Sequence, residues 1–265
     1  MKCFSKCSWF VFVLFMGCAS STTIQKNMSD LSLSMAYVMD SRVAETKDSV
    51  YVRVDTIRFD PAIFSDTTKV KRLYGRFVPL VLMYEWRAEH QCRLGKGVIE
   101  EDLPTFMRAS LEDEMDRSGQ FLLTDLLADS SAYSVDVSIE EVNVEGPYVS
   151  SGFFYFIFIA YGYAMEDQAG PANCYLKVSY RLKQGDQVVH SREFGLQRGT
   201  EQLSRRYTSS SLMQRDYAIS MVEALSYDFK LVNEMIVGDL NRFFNVSKNF
   251  VFLMCKNVHS MFQRK

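Results

Sequence analysis

Tyr133-Ser134-Val135-Asp136-Val137-Ser138-Ile139-Glu140 changes from apolar to polar at nearly every step. Successive side chains of an extended chain point to opposite faces, so this stretch reads as a strand with one buried and one wet face. Leu176, Val178, Tyr180 and Leu182 repeat the pattern against Lys177, Ser179, Arg181 and Lys183. Gln184-Gly185-Asp186 then turns the chain into a further strand over residues 188–194, which makes a hairpin.

Working outward toward the C-terminus, the period changes from two to that of a helix. Ala218, Val222, Leu225, Phe229, Val232, Ile236, Leu240 and Phe243 recur at spacings of three and four, with Glu223, Asp228, Lys230, Asn233 and Asn241 between them. One apolar stripe of this kind lines a helix of about 28 residues, roughly 42 Å long, and reads as a helix laid across the sheet rather than a coiled-coil seam.

Toward the N-terminus, residues 50–59 alternate as a strand that Asp60-Pro61 ends, and the apolar parity switches between Val54 and Ile57, the mark of a bulge. Residues 77–86 form an apolar run broken by Pro79, either an edge strand or two short pieces. Asp102 stands where it would cap a helix with Pro104 in the first turn; Leu103, Met107, Leu111 and Met115 recur every four residues until Gly119. The order strand, strand, helix, three strands, long helix gives an α+β fold: an antiparallel sheet with helices packed on one face, the last of them long.

With 265 residues, 48% of them hydrophobic, the chain has enough apolar matter for one core. Its formal net charge is −2. The mixed, mildly acidic balance lacks the clustered Lys and Arg that a nucleic-acid surface needs.

Residues 1–17 carry Lys2 and Lys6 and then the run Trp9-Phe10-Val11-Phe12-Val13-Leu14-Phe15-Met16, followed by Gly17-Cys18-Ala19-Ser20-Ser21. The run is too short to cross a bilayer and has the proportions of a signal-peptide core. A small residue directly before a cysteine at the end of such a core resembles the signal of bacterial lipoproteins. Gly17 and Cys18 match it; where that family usually has Leu, this chain has Phe15, with Leu14 one place earlier.

The resemblance implies cleavage before Cys18, lipidation of Cys18 and, with no acidic residue after it, residence at the outer membrane. Cleavage also removes Lys2 and Lys6 and leaves the mature charge at −4. The domain plan that follows is residues 1–17 as signal, 18–48 as lipidated cysteine and tether, with 24–48 open between tether and a short helix, 49–244 as the α+β domain and 245–265 as a C-terminal tail. Of the six cysteines, Cys92, Cys174 and Cys255 remain to the domain, without a CxxC pair, and read as buried free thiols. The element order behind a lipidated cysteine also resembles, in plan only, the auxiliary lipoproteins of envelope ABC-type transporters and small lipoproteins of secretion assemblies.

One segment departs from an ordinary soluble domain. Residues 146–165 are uncharged, and Phe153, Phe154, Tyr155, Phe156, Phe158, Tyr161 and Tyr163 put seven aromatics into its core. Gly146, Pro147, Ser150 and Ser151 leave too short an apolar stretch for a spanning helix. Three readings stand open: a strand pair buried under the long helix, an exposed surface for a protein partner or a lipophilic ligand, and a loop dipping into the membrane or joining an oligomeric pore.

No catalytic pattern accompanies these features. His90, His190 and His259 are dispersed, none in HExxH, and GxSxG, GxGxxG and P-loop motifs are missing from the sequence. The acidic groups Glu100-Glu101-Asp102 and Glu112-Asp113-Glu114 read as helix-dipole partners and a solvated face. The expectation is a non-enzymatic, lipid-anchored envelope protein without a cofactor or metal, held by its membrane anchor and a protein partner in an envelope transport complex. A module binding a lipophilic ligand through residues 153–163 is the alternative.

Overall fold

The computed structural model describes residues 20–38, 50–64, 67–79, 82–124, 132–157, 160–206 and 209–262, with side chains of the last segment described through Val246. The signal residues 1–17, Cys18 and Phe158 lie outside the described residues. In chain order the elements are α1 (Ser21–Ser29), β1 (Val50–Phe59), a 3-10 turn (Pro61–Ile63), β2 (Thr67–Val78) and β3 (Met83–Arg93). After these come α2 (Leu103–Arg117), β4 (Phe121–Leu123), β5 (Tyr133–Ile157), β6 (Ala160–Ala169), β7 (Asn173–Gln184), β8 (Gln187–Gly199), β9 (Leu203–Arg206) and α3 (Ser210–Phe262).

β5 is the spine of the sheet. Its 25 residues amount to roughly 80 Å of extended chain. The first half lies between β1 and β7, the second between β3 and β6. β8 extends the first half beyond β7, and β2 extends the second beyond β3. β1 runs parallel to β4 and β5, because the chain returns to the sheet through α2; the other named pairings are antiparallel.

The alternation that predicts the central strand has a direct physical outcome. Val135, Val137 and Ile139 are buried, as are Leu176, Val178, Tyr180 and Leu182 on β7, and they meet the apolar side of α3. The bulge expected in β1 is present as a register shift between Val54 and Ile57. The β7–β8 hairpin turns at Gly185, whose φ of 59° favours glycine. The α+β class and the single-faced helical layer are as the sequence predicts, with the long helix at the C-terminal end.

Three local expectations change. Residues 21–38, placed in the tether with a short helix as the other reading from residue 24, belong to the folded domain. Ser20 caps α1, Ile24 and Met28 are fully buried, and Leu33 bridges Ile99 beside α2. Asp102 sits at the cap position of α2 without a side-chain cap hydrogen bond. Glu100 and Glu101 instead accept from Ser34 Oγ and the Met35 backbone N–H, which fastens the N-terminal segment to the domain.

The third change concerns α3, which runs 53 residues and so takes up most of the stretch read as a C-terminal tail. Asp228, Lys230 and Asn233, expected between the apolar positions, are buried. The helix touches α1 and α2 as well as the sheet, so its buried arc is wider than one stripe. Asn233 Nδ2 donates to Ser110 Oγ on α2 at 2.9 Å, and Asp228 pairs with Arg198 on β8.

Candidate functional site

The helical layer covers only part of the sheet. Tyr148 on β5 is buried and its hydroxyl accepts from Gln214 Nε2 in the first turns of α3 at 3.3 Å; Thr68 at the start of β2 donates to Gln25 of α1 at 2.6 Å. Beyond these contacts β2, β3, the second half of β5 and β6 continue as a four-stranded arm. The β2–β3 and β5–β6 turns lie at the same end, since Phe77 pairs with Tyr84, Tyr84 with Phe154 and Phe154 with Tyr163.

Directly paired residues share a face. Phe77, Tyr84, Phe154, Phe156, Tyr161 and Tyr163 therefore lie on the face that, further along, holds Tyr148, His90 and Cys92 under the helices. Phe153, Tyr155 and Ile157 lie on the opposite face. Phe153 is 37% exposed, Phe156 42%, Tyr163 62% and Tyr161 72%, while Phe154 and Tyr155 are half-buried. The strand pair is real, but the reading that buries it under the long helix is not what the structure has. Among the described residues, no second layer reaches these aromatic rings.

The arm holds its shape by laying rings over glycines. A Cβ at Gly152 would fall 2.6 Å from Trp86 Cη2, one at Gly162 2.5 Å from Tyr155 Cζ, and one at Gly75 2.8 Å from Tyr84 Oη. Each ring occupies the space that a side chain on the neighbouring strand would fill, a packing that offsets the weakness of glycine in a strand. Tyr84 and Trp86 stack with centroids 6.2 Å apart, and Phe153 and Tyr155 with centroids 6.3 Å apart.

Tyr84, Trp86 and Phe77 thus join the seven aromatics singled out by sequence. For Phe77 and Tyr84 the signal was present: residues 77–84 are uncharged like residues 146–165. An open cleft of about 420 Å³ lies where the arm leaves the domain, lined by Tyr74, Trp86, Gly152, Phe153 and Met165 among others. Of the six described members of the seven, Phe153 alone lines it, so these aromatics present themselves mainly as a surface.

No comparison with known proteins identifies this chain. Neither a protein family nor a curated protein matches it. A Xanthomonas campestris protein of family DUF330 is similar at 15% identity and a TM-score of 0.41, over 79% of this chain and 98% of its own. A second solved structure, an uncharacterized protein, is similar at 10% identity and a TM-score of 0.39, over 78% of this chain and 97% of its own.

Outside the arm, one cluster of titratable groups fastens the long helix to the sheet. His190 Nε2 lies 2.8 Å from Asp239 Oδ2, which also accepts from Tyr180 Oη at 2.6 Å, and Arg192 pairs with Asp239 Oδ1. This cluster joins α3 to β7 and β8, and Phe243 stacks on His190. His90 is buried, with neither ring nitrogen hydrogen-bonded among the described residues, and burial lowers it below its usual 6.5, so it stays neutral at pH 7.

Cys92 and Cys174 are buried free thiols, and burial pushes Cys92 up to about 12. Among the described residues no cluster of three or more His, Cys, Asp or Glu is placed to hold a metal. No helix among them is long and apolar enough to cross a membrane.

Proposed function

We propose that this protein is a lipid-anchored, non-enzymatic component of the cell envelope, attached through Cys18 to the outer membrane and facing the periplasm. In this reading it serves as an accessory or assembly component of an envelope transport complex, and the aromatic end of its arm is the surface through which it takes part. The observation that supports the reading is the uncovered arm. Large apolar side chains exposed together, away from the core, mark interaction surfaces.

The anchor follows from the signal-like residues 1–17 and Cys18. Several acyl chains, each contributing about 0.8 kcal/mol per buried CH₂, hold a protein at a membrane effectively permanently. Only Ala19 and Ser20 separate Cys18 from α1, so the domain would ride close to the bilayer.

The test combines fractionation and capture. Cys18→Ala is expected to leave the precursor uncleaved at this site and without acyl chains. Tagged wild-type protein extracted from its native envelope in mild detergent is expected to bring transporter subunits with it. Acylated wild-type protein recovered alone would count against the accessory role. Recovery with a stoichiometric lipid in the native mass spectrum would favour the lipophilic-ligand reading.

A further inference from the structure

The charge pattern of the arm narrows the identity of what meets it. On β2 the last charged residue before the turn is Arg76, which pairs directly with Glu85, the first charged residue of β3; Glu85 pairs with Phe153 and Phe153 with Ala164. Beyond that level every described residue is uncharged: Phe77, Val78, Leu82, Met83 and Tyr84, then residues 154–157 and 160–163. No strand carries a charge beyond that height: on β6 the first charge, Glu166, lies two residues below it, and on β5 the last, Glu145, lies eight below.

The second observation is that both faces are apolar there. Phe154, Phe156, Tyr161 and Tyr163 occupy one face and Tyr155 and Ile157 the other, and Phe156, Ile157, Tyr161 and Tyr163 are all exposed. A protein docking on the arm covers one face and leaves the other in water. An apolar medium surrounds both.

The third is the border. β2, the exposed edge strand, carries Lys69, Lys71, Arg72 and Arg76 and no carboxylate. Cations behind an apolar, Tyr- and Trp-bearing end suit the phosphate layer of a bilayer, where aromatic rings sit at headgroup level and basic side chains meet anionic lipid.

We infer that the uncharged end of this arm enters the interfacial layer of a lipid bilayer, up to the level of Arg76 and Glu85. The inference rests on the reading proposed above, that the arm is the interaction surface, and names lipid as what it contacts. Residues 154–157 rise about 13 Å, close to the depth of roughly 5–10 Å that interfacial segments reach. A membrane-crossing strand needs about 9–11 residues, so the arm enters one leaflet only.

The experiment reconstitutes the full-length acylated protein into vesicles of phosphatidylcholine and phosphatidylglycerol that contain a phosphatidylcholine with a diazirine in its acyl chain. After irradiation, digested peptides are mapped by mass spectrometry. Adducts are expected on peptides spanning residues 77–84 and 153–163. They should be lost in Phe156→Asp and Tyr161→Asp proteins whose circular dichroism matches wild type. Adducts confined to the acylated N-terminal peptide would overturn the inference. If the same two variants then also lose envelope proteins that wild type captures, the arm remains the interaction surface and its partner is a protein. If they lose nothing, the underlying reading fails as well.

Discussion

Arg198 Nε on β8 donates to Asp228 Oδ1 on α3 at 3.0 Å, and Asp228 is almost wholly buried while Arg198 is about 40% exposed. The asymmetry orders the consequences of mutation. Removing Arg198 strands a carboxylate inside the protein, whereas removing the Asp228 charge lets the arginine turn to water. Arg198→Met is expected to cost about 3 kcal/mol and Asp228→Asn roughly 1 kcal/mol, read as shifts of the urea midpoint at unchanged slope. Equal costs would mean that the pair is not the fastening it resembles.

Further along the same helix, Asp239 gives stability a pH dependence. Burial by itself would raise this carboxyl, and the hydrogen bonds from Tyr180, His190 and Arg192 outweigh it, so the group ends below its ordinary 3.8. A folded value below the unfolded one favours the folded state fully above the unfolded value. That contribution drains away as pH falls through the folded value. Urea unfolding at pH values from about 6 down to about 2.5 should show this loss in wild type and a flatter profile in Asp239→Asn.

Gly146 marks where β5 passes beneath the first turns of α3. A Cβ there would lie 2.6 Å from Ala172 Cα and closer still to Tyr217 Oη, both fixed parts of the core. Gly146→Ala is expected to destabilise the domain by about 1–3 kcal/mol through overpacking, seen as a lower Tm. A glycine-to-alanine change at Gly238, where nothing lies within 4 Å, is expected to stabilise α3 by a few tenths of a kcal/mol to about 1 kcal/mol.

The arm predicts the opposite of a core. Tyr161 is 72% exposed, so Tyr161→Asp should shift Tm by little. Leu225, fully buried under the same sheet, should cost about 2–5 kcal/mol when changed to Ala. Similar losses from both would place the arm inside an unseen packing layer.

How much of this was legible in the sequence divides along a physical line. Elements with one wet face were readable to the residue: the β1 bulge at Val54 and Ile57, the β7 alternation and the Leu103-to-Met115 stripe of α2 each leave a period. Residues 21–29 were not, because α1 buries only Ile24 and Met28 and two anchors are too few to make a period. The polar residues of α3 misled for a different reason. Burial of Asp228 and Asn233 depends on partners, Arg198 and Ser110, more than a hundred residues away for one of them, and no local pattern announces such a pair.

The candidate site was half legible. Residues 153–163 stood out by composition alone, yet composition could not say whether the rings faced a core or open space. That depended on how far the helical layer extends, which only the tertiary arrangement fixes. Phe77, Tyr84 and Trp86 were missed because Pro79 obscured the hairpin that brings them beside Phe154.

The most direct test of the account is recovery of the transport assembly with the Phe156→Asp, Tyr161→Asp double variant. Tagged wild type and variant are extracted with their surrounding lipid in polymer discs from the same envelope, and accompanying proteins are quantified by mass spectrometry. The expected variant is folded, acylated at Cys18 and membrane-bound and, with the end of its arm no longer seated in lipid, has lost the transporter subunits recovered with wild type. A folded variant that recovers them undiminished would contradict the claim that the aromatic end of the arm is where this protein does its work.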